Sequence, residues 1–246
     1  MGKNKLKKFA ELEGIDFVLQ YPRERLLAEG FPYRSQWHSS FFGDPGPITL
    51  ELGCGKGEYT VSLAKENAQG NFIGVDIKGA RIWSGATEAK KNNMENICFL
   101  RTEIENIDQF FGEGEVSEIW ITFPDPQMQK VRKRLISTIF LEKYGKILVA
   151  DGIINLKTDS PFLFEYTKRL VEINGLEIVK ISDDIYGDGS ADPVSSIKTF
   201  YESQWLARGK KIKLISFLLN VRKNLIEPFA DDIVKDDYRA VARFQG

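Results

Sequence analysis

The chain has 246 residues, of which 42% are hydrophobic and 28% are charged, and its formal net charge is −1 at pH 7. This length suits one α/β domain with a substantial core, and the near-zero charge excludes a uniformly basic nucleic-acid-binding protein. The sequence shows no apolar run of membrane-spanning length, no secretory signal segment, and no cysteine spacing typical of a metal site or a disulfide framework. We therefore expect a cytoplasmic protein that does not span a membrane.

The first 47 residues and the last 25 differ in pattern from the rest of the chain. Residues 3–12 predict a short basic helix, whereas residues 14–47 are rich in Pro, Gly and aromatic residues and predict an irregular segment. Residues 222–246 form a mixed-charge tail with enough apolar residues to make a helix. We expect a single domain that consists of an N-terminal extension (1–47), a core (48–221) and this tail.

Within the core, strand patterns alternate with helix patterns. The predicted strands span residues 48–52, 72–76, 97–101, 116–123, 153–157, 176–181 and 211–220, and the predicted helices span residues 58–67, 80–93, 104–111, 133–144, 161–174 and 197–207. A polar, glycine-containing loop over residues 182–195 precedes the last helix. This alternation predicts an α/β fold whose mostly parallel sheet is covered by helices on both faces.

Basic residues form three local clusters, although the formal net charge of the chain is only −1. Their members are Lys3, Lys5, Lys7 and Lys8 near the start, Lys130, Arg132, Lys133 and Arg134 in the middle, and Arg208, Lys210, Lys211 and Lys213 late in the chain. Such clusters can follow the phosphates of a nucleic acid even when the total charge is near zero, and each is equally well explained as solvated surface.

A glycine-rich turn follows the first predicted core strand, in the stretch ITLELGCGKGEYT, with Gly53 and Gly55 at its centre. Ligands of open α/β sheets bind at such strand ends, and Asp76 at the end of the next strand could accept hydrogen bonds from a ribose diol. A dinucleotide would also suit this pattern. The G-x-G-x-G spacing and Glu51 favour S-adenosylmethionine, because a carboxylate there would repel a pyrophosphate but attract the cationic methionine end.

Two further acids follow later predicted strands. Glu103 could reach an adenine edge, or could simply be an acid at a helix start. Asp125 lies between Pro124 and Pro126, and each proline restricts the backbone, so the carboxylate is expected to be held at the mouth of the sheet. Prolines also end strands for structural reasons, but the basic run that starts at Lys130 favours a site in which the carboxylate binds a guanine edge and the cations bind phosphates.

The last polar candidates lie near the fifth and sixth predicted helices. Asp159 follows the fifth predicted strand and would lie beside Asp125 in a parallel sheet, although a helix N-cap before Ser160 is a competing interpretation. Thr199 and Glu202 have the spacing of a capping box, which leaves their role open.

Together these stretches resemble the bacterial tRNA (guanine-N7-)-methyltransferase family over roughly residues 37–220. The resemblance rests on ELGCGKGEY, GVDIKGAR, FPDP with a basic run after it, LKTD, and the late T-x-x-E. It implies a class I methyltransferase fold, a Rossmann-like three-layer sandwich with a seven-stranded, mostly parallel sheet whose last strand is antiparallel. Gln127 and Gln129 depart from the family pattern, which commonly has Trp and Lys there, and Lys130 is the candidate replacement for the lysine.

The resemblance also implies a role for each candidate residue. The cofactor positions are Glu51, Gly53, Gly55, Asp76, Glu103 and Asp125, the catalytic positions are Asp125 and Asp159, and the substrate positions are Lys130, Asp159, Thr199 and Glu202. The implied reaction transfers a methyl group from S-adenosylmethionine to N7 of a guanine in the variable loop of tRNA, by a monomer or a homodimer.

No catalytic His, Cys or metal is expected for this reaction, because guanine N7 already carries an exposed lone pair; His38, in the N-terminal extension, is the only histidine. Nearby carboxylates would stabilise the positive charge that develops on the ring. Three other functions would suit parts of this pattern. A small-molecule methyltransferase is opposed by the basic clusters, a dinucleotide-dependent oxidoreductase by Glu51 and the glycine spacing, and a non-catalytic RNA-binding subunit by the intact set of acids.

Overall fold

The computed structural model describes residues 3–220 and 224–236, with side chains from residue 7 onward. The helices are α1 (Lys3–Glu13), α2 (Arg23–Glu29), α3 (Glu58–Glu66), α4 (Gly79–Lys91), α5 (Thr138–Gly145), α6 (Pro161–Ile173) and α7 (Phe200–Ala207). The strands are β1 (Val18–Gln20), β2 (Ile48–Leu52), β3 (Asn71–Asp76), β4 (Ile97–Arg101), β5 (Val116–Thr122), β6 (Leu148–Thr158), β7 (Ile178–Ser182) and β8 (Lys213–Leu218). Short 3-10 turns span Ile104–Gln109 and Val131–Lys133, and a π-helical turn spans Trp37–Phe42.

The strands form one sheet in the order β1-β4-β3-β2-β5-β6-β8-β7. Strands β1 to β6 run parallel, and β8 is antiparallel to both of its neighbours. The predicted α/β fold, with a mostly parallel sheet and an antiparallel last strand, is thus confirmed. Strand β2 lies between β3 and β5, so the chain order reverses there, and the carboxyl end of β2 is the expected position for a ligand.

The sheet has eight strands rather than the expected seven, because β1 comes from the N-terminal extension and pairs with β4. This three-residue strand is too short to leave an alternating pattern in the sequence. Residues 14–47 were predicted to be irregular, but part of this segment packs on the core. Trp37 is fully buried, stacks on Phe111 with ring centroids 5.2 Å apart, and donates its indole N–H to the Phe110 carbonyl at 2.9 Å.

Helices cover both faces of the sheet and enclose two apolar layers. One layer contains α3 and α4 side chains such as Tyr59 and Ile82. The other contains α5 and α6 side chains such as Phe140 and Tyr166. No helix within residues 3–220 and 224–236 is long and apolar enough to cross a membrane.

Several predicted bounds differ from the structure: β6 begins at Leu148 rather than at residue 153, and α7 begins at Phe200 rather than at residue 197. Two further predictions were wrong about helical structure. The predicted helix over residues 133–144 begins only at Thr138, because Arg134 is turned inward to bind carbonyls of the preceding loop. The predicted helical character of the tail is not found in residues 224–236, which are extended or turn-like but packed on the core through Leu225, Ala230 and Ile233. The remainder of the predicted tail, residues 222–223 and 237–246, lies outside the described residues.

Candidate active site

Two adjoining cavities open at the carboxyl ends of the central strands. The first has a volume of about 390 Å³ and is lined by Gly53, Asp76, Ile77, Lys78, Arg81, Thr102, Glu103, Ile104, Glu105 and Leu135. The second has a volume of about 360 Å³ and is lined by Glu51, Gly53, Cys54, Gly55, Lys56, Glu58, Arg81, Thr122, Phe123, Asp125, Thr199, Tyr201 and Trp205. Because Gly53 and Arg81 line both, the two cavities adjoin each other at the point where the strand order reverses.

The glycine turn between β2 and α3 needs backbone conformations that other residues rarely adopt. Gly53, Gly55 and Gly57 have φ values of 81°, 55° and 73°. Asp76 fixes this turn, because one carboxylate oxygen accepts the Gly55 N–H at 3.0 Å and the other accepts the Lys78 N–H at 2.7 Å. The turn is therefore held open against the end of β3, with its backbone exposed to the cavities.

Glu51 is a buried acid on the wall of the second cavity, and it is 2% exposed. Its carboxylate accepts the Thr60 N–H at 2.9 Å, the Thr60 hydroxyl, and the Thr122 hydroxyl at 2.7 Å. Burial raises the pKa of Glu51 to about 7, despite these hydrogen bonds. A cationic ligand in the cavity would stabilise the charged form of this side chain and lower its pKa again.

Asp125 is exposed at the mouth of the second cavity, three residues beyond β5. Its carboxylate accepts the Gln127 N–H at 3.0 Å. Phe123 and Gln127, on either side of the Pro-Asp-Pro triplet, both have φ near 47°, in the left-handed region that side chains other than glycine seldom adopt. The backbone therefore adopts an uncommon conformation on both sides of this triplet.

Asp159 follows β6, which pairs in parallel with β5 through Thr122 and Lys157. The two acids therefore leave neighbouring strand ends, as expected. Asp159 is 4% exposed, and only Asp125 of the pair lines the second cavity. The N-cap of α6 is Ser160, whose hydroxyl accepts the Leu163 N–H at 2.9 Å, so the N-cap interpretation of Asp159 is wrong.

Thr199 and Glu202 form the capping box of α7, and they differ in exposure to the site. Thr199 lines the second cavity, whereas Glu202 is fully buried. The Glu202 carboxylate lies 2.8 Å from the Lys157 ammonium and accepts the Tyr186 hydroxyl at 2.7 Å. Burial lowers the pKa of Lys157. Glu202 therefore does not line the cavity; it lies buried behind Thr199, where it contacts Lys157 and Tyr186.

The basic run after Asp125 divides into an outer and an inner part. Lys130, Arg132 and Lys133 are exposed, as phosphate-binding residues must be. Arg134 is buried instead, and its guanidinium donates to the Pro126, Gln127 and Met128 carbonyls at 3.1–3.2 Å. The expectation that Arg134 belongs to a basic surface is thus wrong.

The other two predicted clusters are partly exposed. Lys7 and Lys8 lie on α1, whereas the side chains of Lys3 and Lys5 lie outside the described part of the chain. Arg208, Lys210 and Lys211 are exposed and Lys213 is half-buried.

Several cavity residues were not found by sequence reasoning. Arg81 lines both cavities from the first turn of α4, and its only signal is its place in GVDIKGAR. Tyr201 and Trp205 line the second cavity from α7. Aromatic residues at helical spacing usually indicate a core face, so nothing in their pattern marked them as site residues. Among the residues that the structure describes, no group of three His, Cys, Asp or Glu side chains could hold a metal ion.

Comparison with known proteins identifies a consistent set of similar chains. A family model described as "Putative methyltransferase" matches residues 45–215. The chain is 53% identical over 243 residues to a tRNA (guanine-N(7)-)-methyltransferase of Bacteroides fragilis (strain YCH46), covering 99% of this chain and 96% of that protein. It is also 53% identical to the protein of that name from Porphyromonas gingivalis (strain ATCC BAA-308 / W83), covering 94% and 96% of the two chains.

Among solved structures, the 16S rRNA methyltransferase KamB superposes with a TM-score of 0.57 at 12% identity, covering 79% of this chain and 95% of that one. Identity this low supports the class I methyltransferase fold and nothing finer. The full-length sequence matches at much higher identity carry the assignment further, since they include both the extension and the core. On these grounds the chain belongs to the tRNA (guanine-N7-)-methyltransferase family.

Proposed function

We propose that this protein transfers the methyl group of S-adenosylmethionine to N7 of a guanine in the variable loop of tRNA. The observation that carries the proposal is the pair of adjoining cavities at the end of β2, with Asp76 and Glu103 lining one and Glu51 and Asp125 lining the other. Family membership supports the same reaction.

The first cavity suits the adenosine half of the cofactor. The Asp76 carboxylate lies on its wall and can accept hydrogen bonds from a ribose diol, and exposed Glu103 can accept one from the adenine amino group. Gly53 and Gly55 allow close backbone approach at the junction of the two cavities.

The second cavity suits the methionine end, which supplies the electrophilic methyl group when the cofactor is bound. Glu51 is a buried carboxylate with a pKa near 7, which a cation would stabilise in its charged form. A dinucleotide would place negative charge beside this acid, so the geometry favours the cofactor that carries positive charge there.

We assign the target guanine to the mouth of the second cavity, between Asp125 and Thr199. The N7 lone pair needs no general base, so the residues act by orientation and by charge. Asp125 accepts hydrogen bonds from the guanine edge, and Asp159 contributes a second negative charge as the ring becomes cationic. Lys130 binds the RNA backbone from the exposed part of the basic run, and Thr199 and Glu202 shape the α7 side of the site.

We further propose that residues 1–47, 48–221 and 222–246 work as one domain in the cytoplasm, as a monomer or a homodimer. The packing of the extension and of the tail on the core supports the single domain.

The test is to incubate the purified protein with methyl-labelled S-adenosylmethionine and tRNA that lacks 7-methylguanosine, then digest the RNA and identify the labelled nucleoside. Label in 7-methylguanosine is the expected result. Label in another nucleoside would replace the proposed acceptor atom, and cofactor binding without any label in tRNA would overturn the proposed substrate.

A further inference from the structure

The tail of the chain contacts the first residues of the two helices that follow the proposed catalytic acids, Thr138 of α5 and Ser160 and Phe162 at the start of α6. We call residues 224–236 the C-terminal strap. Asn174 at the end of α6 holds it through two hydrogen bonds to Ile226, at 2.9 Å and 2.7 Å. Ile233 is buried in the core layer formed by α5 and α6. The strap is therefore built into the fold.

Glu227 of the strap binds the first residue of α5. One carboxylate oxygen accepts the Thr138 hydroxyl at 2.8 Å and the Thr138 N–H at 3.3 Å, and the other accepts the Tyr166 hydroxyl. A negative charge here stabilises the start of α5, where backbone N–H groups lack helical partners. Helix α5 is the helix that follows the Asp125 loop.

Asp236 of the strap binds the first turn of α6 in the same way. Its carboxylate accepts the Phe162 N–H at 3.0 Å and the Ser160 hydroxyl. Ser160 in turn accepts the Leu163 N–H, so the two side chains together satisfy both of these donors. Helix α6 begins directly after Asp159.

A second connection runs from Glu227 to the Asp125 loop. Tyr166, which donates to Glu227, lies with its ring 4.0 Å from the Arg134 guanidinium. Arg134 donates to the carbonyls of Pro126 and Gln127, directly after Asp125. One strap residue thus holds the start of α5 and also supports the arginine that fixes the Pro-Asp-Pro turn.

From these contacts we infer that the C-terminal strap positions the two acidic loops relative to each other, through Glu227 on the Asp125 side and Asp236 on the Asp159 side. The inference rests on the proposed function, since it assigns the strap a role in methyl transfer. Glu227 and Asp236 are positioning residues, because they act through Arg134, Thr138 and Ser160. The cofactor cavities have no strap residue in their lining. Asp236 acts on the side of Asp159, which lines neither cavity, so the loss of Asp236 should affect the target-base side of the site and leave cofactor binding unchanged.

The experiment compares Glu227→Gln and Asp236→Ala with Asp232→Ala in the full-length chain. Asp232 is the matched control, because it also belongs to the strap but pairs at the surface with Arg169, nine residues beyond Ser160 on α6. For each variant we would measure the melting temperature, the Kd for S-adenosylmethionine, kcat and KM with tRNA, and amide hydrogen exchange over residues 126–138 and 158–164.

We expect Asp236→Ala to lower kcat about tenfold, since small displacements of reacting groups are costly. Its cofactor Kd should stay within about twofold of wild type, and exchange should accelerate over residues 158–164. In Glu227→Gln, amide hydrogen exchange should accelerate mainly over residues 126–138. Asp236→Glu should recover part of the lost kcat, and Asp232→Ala should behave like wild type.

The inference is overturned if both strap variants match Asp232→Ala in kcat, or if exchange in the two loops is unchanged. It is also overturned if Asp236→Ala loses cofactor affinity in proportion to kcat, which would indicate general loss of structure. Failure of the proposed function would look different, because wild type itself would then leave tRNA unlabelled. The exchange measurement would still decide in that case whether the strap holds both loops.

Discussion

Lys157 and Glu202 form a fully buried ion pair, with the ammonium nitrogen 2.8 Å from a carboxylate oxygen. Lys157 comes from the end of β6, two residues before Asp159, and Glu202 comes from the first turn of α7. The Lys157 ammonium also donates to the Ile197 carbonyl at 2.9 Å. The pair thus joins the strand that leads to Asp159 with the helix that presents Tyr201 and Trp205 to the second cavity.

We expect Lys157→Met to destabilise the protein by about 3–5 kcal/mol, because it leaves the Glu202 carboxylate buried without its cation. The double variant Lys157→Met with Glu202→Leu should recover much of this loss. The measurement is the free energy of unfolding by chemical denaturation. The control is Lys65→Met, which breaks an exposed pair with Glu88 and should cost about 1 kcal/mol or less. Equal losses at the two lysines would contradict the prediction.

Glu51 makes stability depend on pH in a defined direction. Its pKa is about 7 in the folded state against an ordinary value of 4.5, so the folded protein binds the proton more tightly than the unfolded chain. The stability from this group is therefore fully present below pH 4.5 and is lost as pH rises to 7. The loss is about 3 kcal/mol, from a pKa difference of roughly two and a half units.

The measurement is the free energy of unfolding of wild type and Glu51→Gln between pH 4.5 and pH 8. Glutamine cannot titrate, so the difference between the two proteins should change with pH by this amount, in favour of wild type at the acidic end. A difference that is constant across the range would show that folding does not raise the pKa of Glu51.

The same residue predicts how cofactor affinity responds to pH. A cationic ligand stabilises the charged form of Glu51, so binding should release a proton below pH 7 and become tighter as pH rises toward 8. Isothermal titration in buffers of different ionisation enthalpy measures that proton directly. Glu51→Gln should weaken binding and abolish the pH dependence from this group; an unchanged pH profile in that variant would place the cation elsewhere.

The sequence predicted the parts of the site that depend on short, local patterns. The bounds of β2 and β4 were predicted to the residue, and the glycine turn lies where the spacing of Gly53 and Gly55 placed it. Each of these follows from an apolar run bounded by turn residues, a signal that is complete within about ten residues.

The features that sequence reasoning missed depend on contacts between distant segments. Arg134 looked like part of a basic surface, but Tyr166 and the carbonyls after Asp125 give it a buried position. Glu202 had only a capping-box spacing, and its partner Lys157 lies 45 residues earlier in the chain. No local pattern contains such pairings, so the buried contacts of Arg134 and Glu202 and the packing of the tail on the core could not be predicted.

A substitution of Asp159 tests whether this acid acts on the target base, as proposed, or on the cofactor. Because it lies outside the lining of both cavities, Asp159→Ala should leave the Kd for S-adenosylmethionine nearly unchanged. Methyl transfer to tRNA should fall by about 10²-fold or more, as when a charge-stabilising group is removed from a reacting centre. The control is Asp16→Ala, which changes an exposed residue of the N-terminal extension and should retain full activity. Loss of cofactor binding in Asp159→Ala would assign this acid to the cofactor instead.

The exposed part of the basic run predicts how tRNA affinity depends on salt concentration. If Lys130 contacts a phosphate of the tRNA, Lys130→Ala should weaken tRNA binding and lower the slope of log K against log salt by about 0.7–0.9. Arg134→Ala should leave that slope unchanged, because its guanidinium is buried against the Pro126 and Gln127 carbonyls and cannot reach solvent. The measurement is tRNA affinity by filter binding over a range of KCl concentrations, with Lys65→Ala as the exposed control. A slope that falls in Arg134→Ala but not in Lys130→Ala would show that the RNA contacts the inner part of this run and that the loop opens on binding.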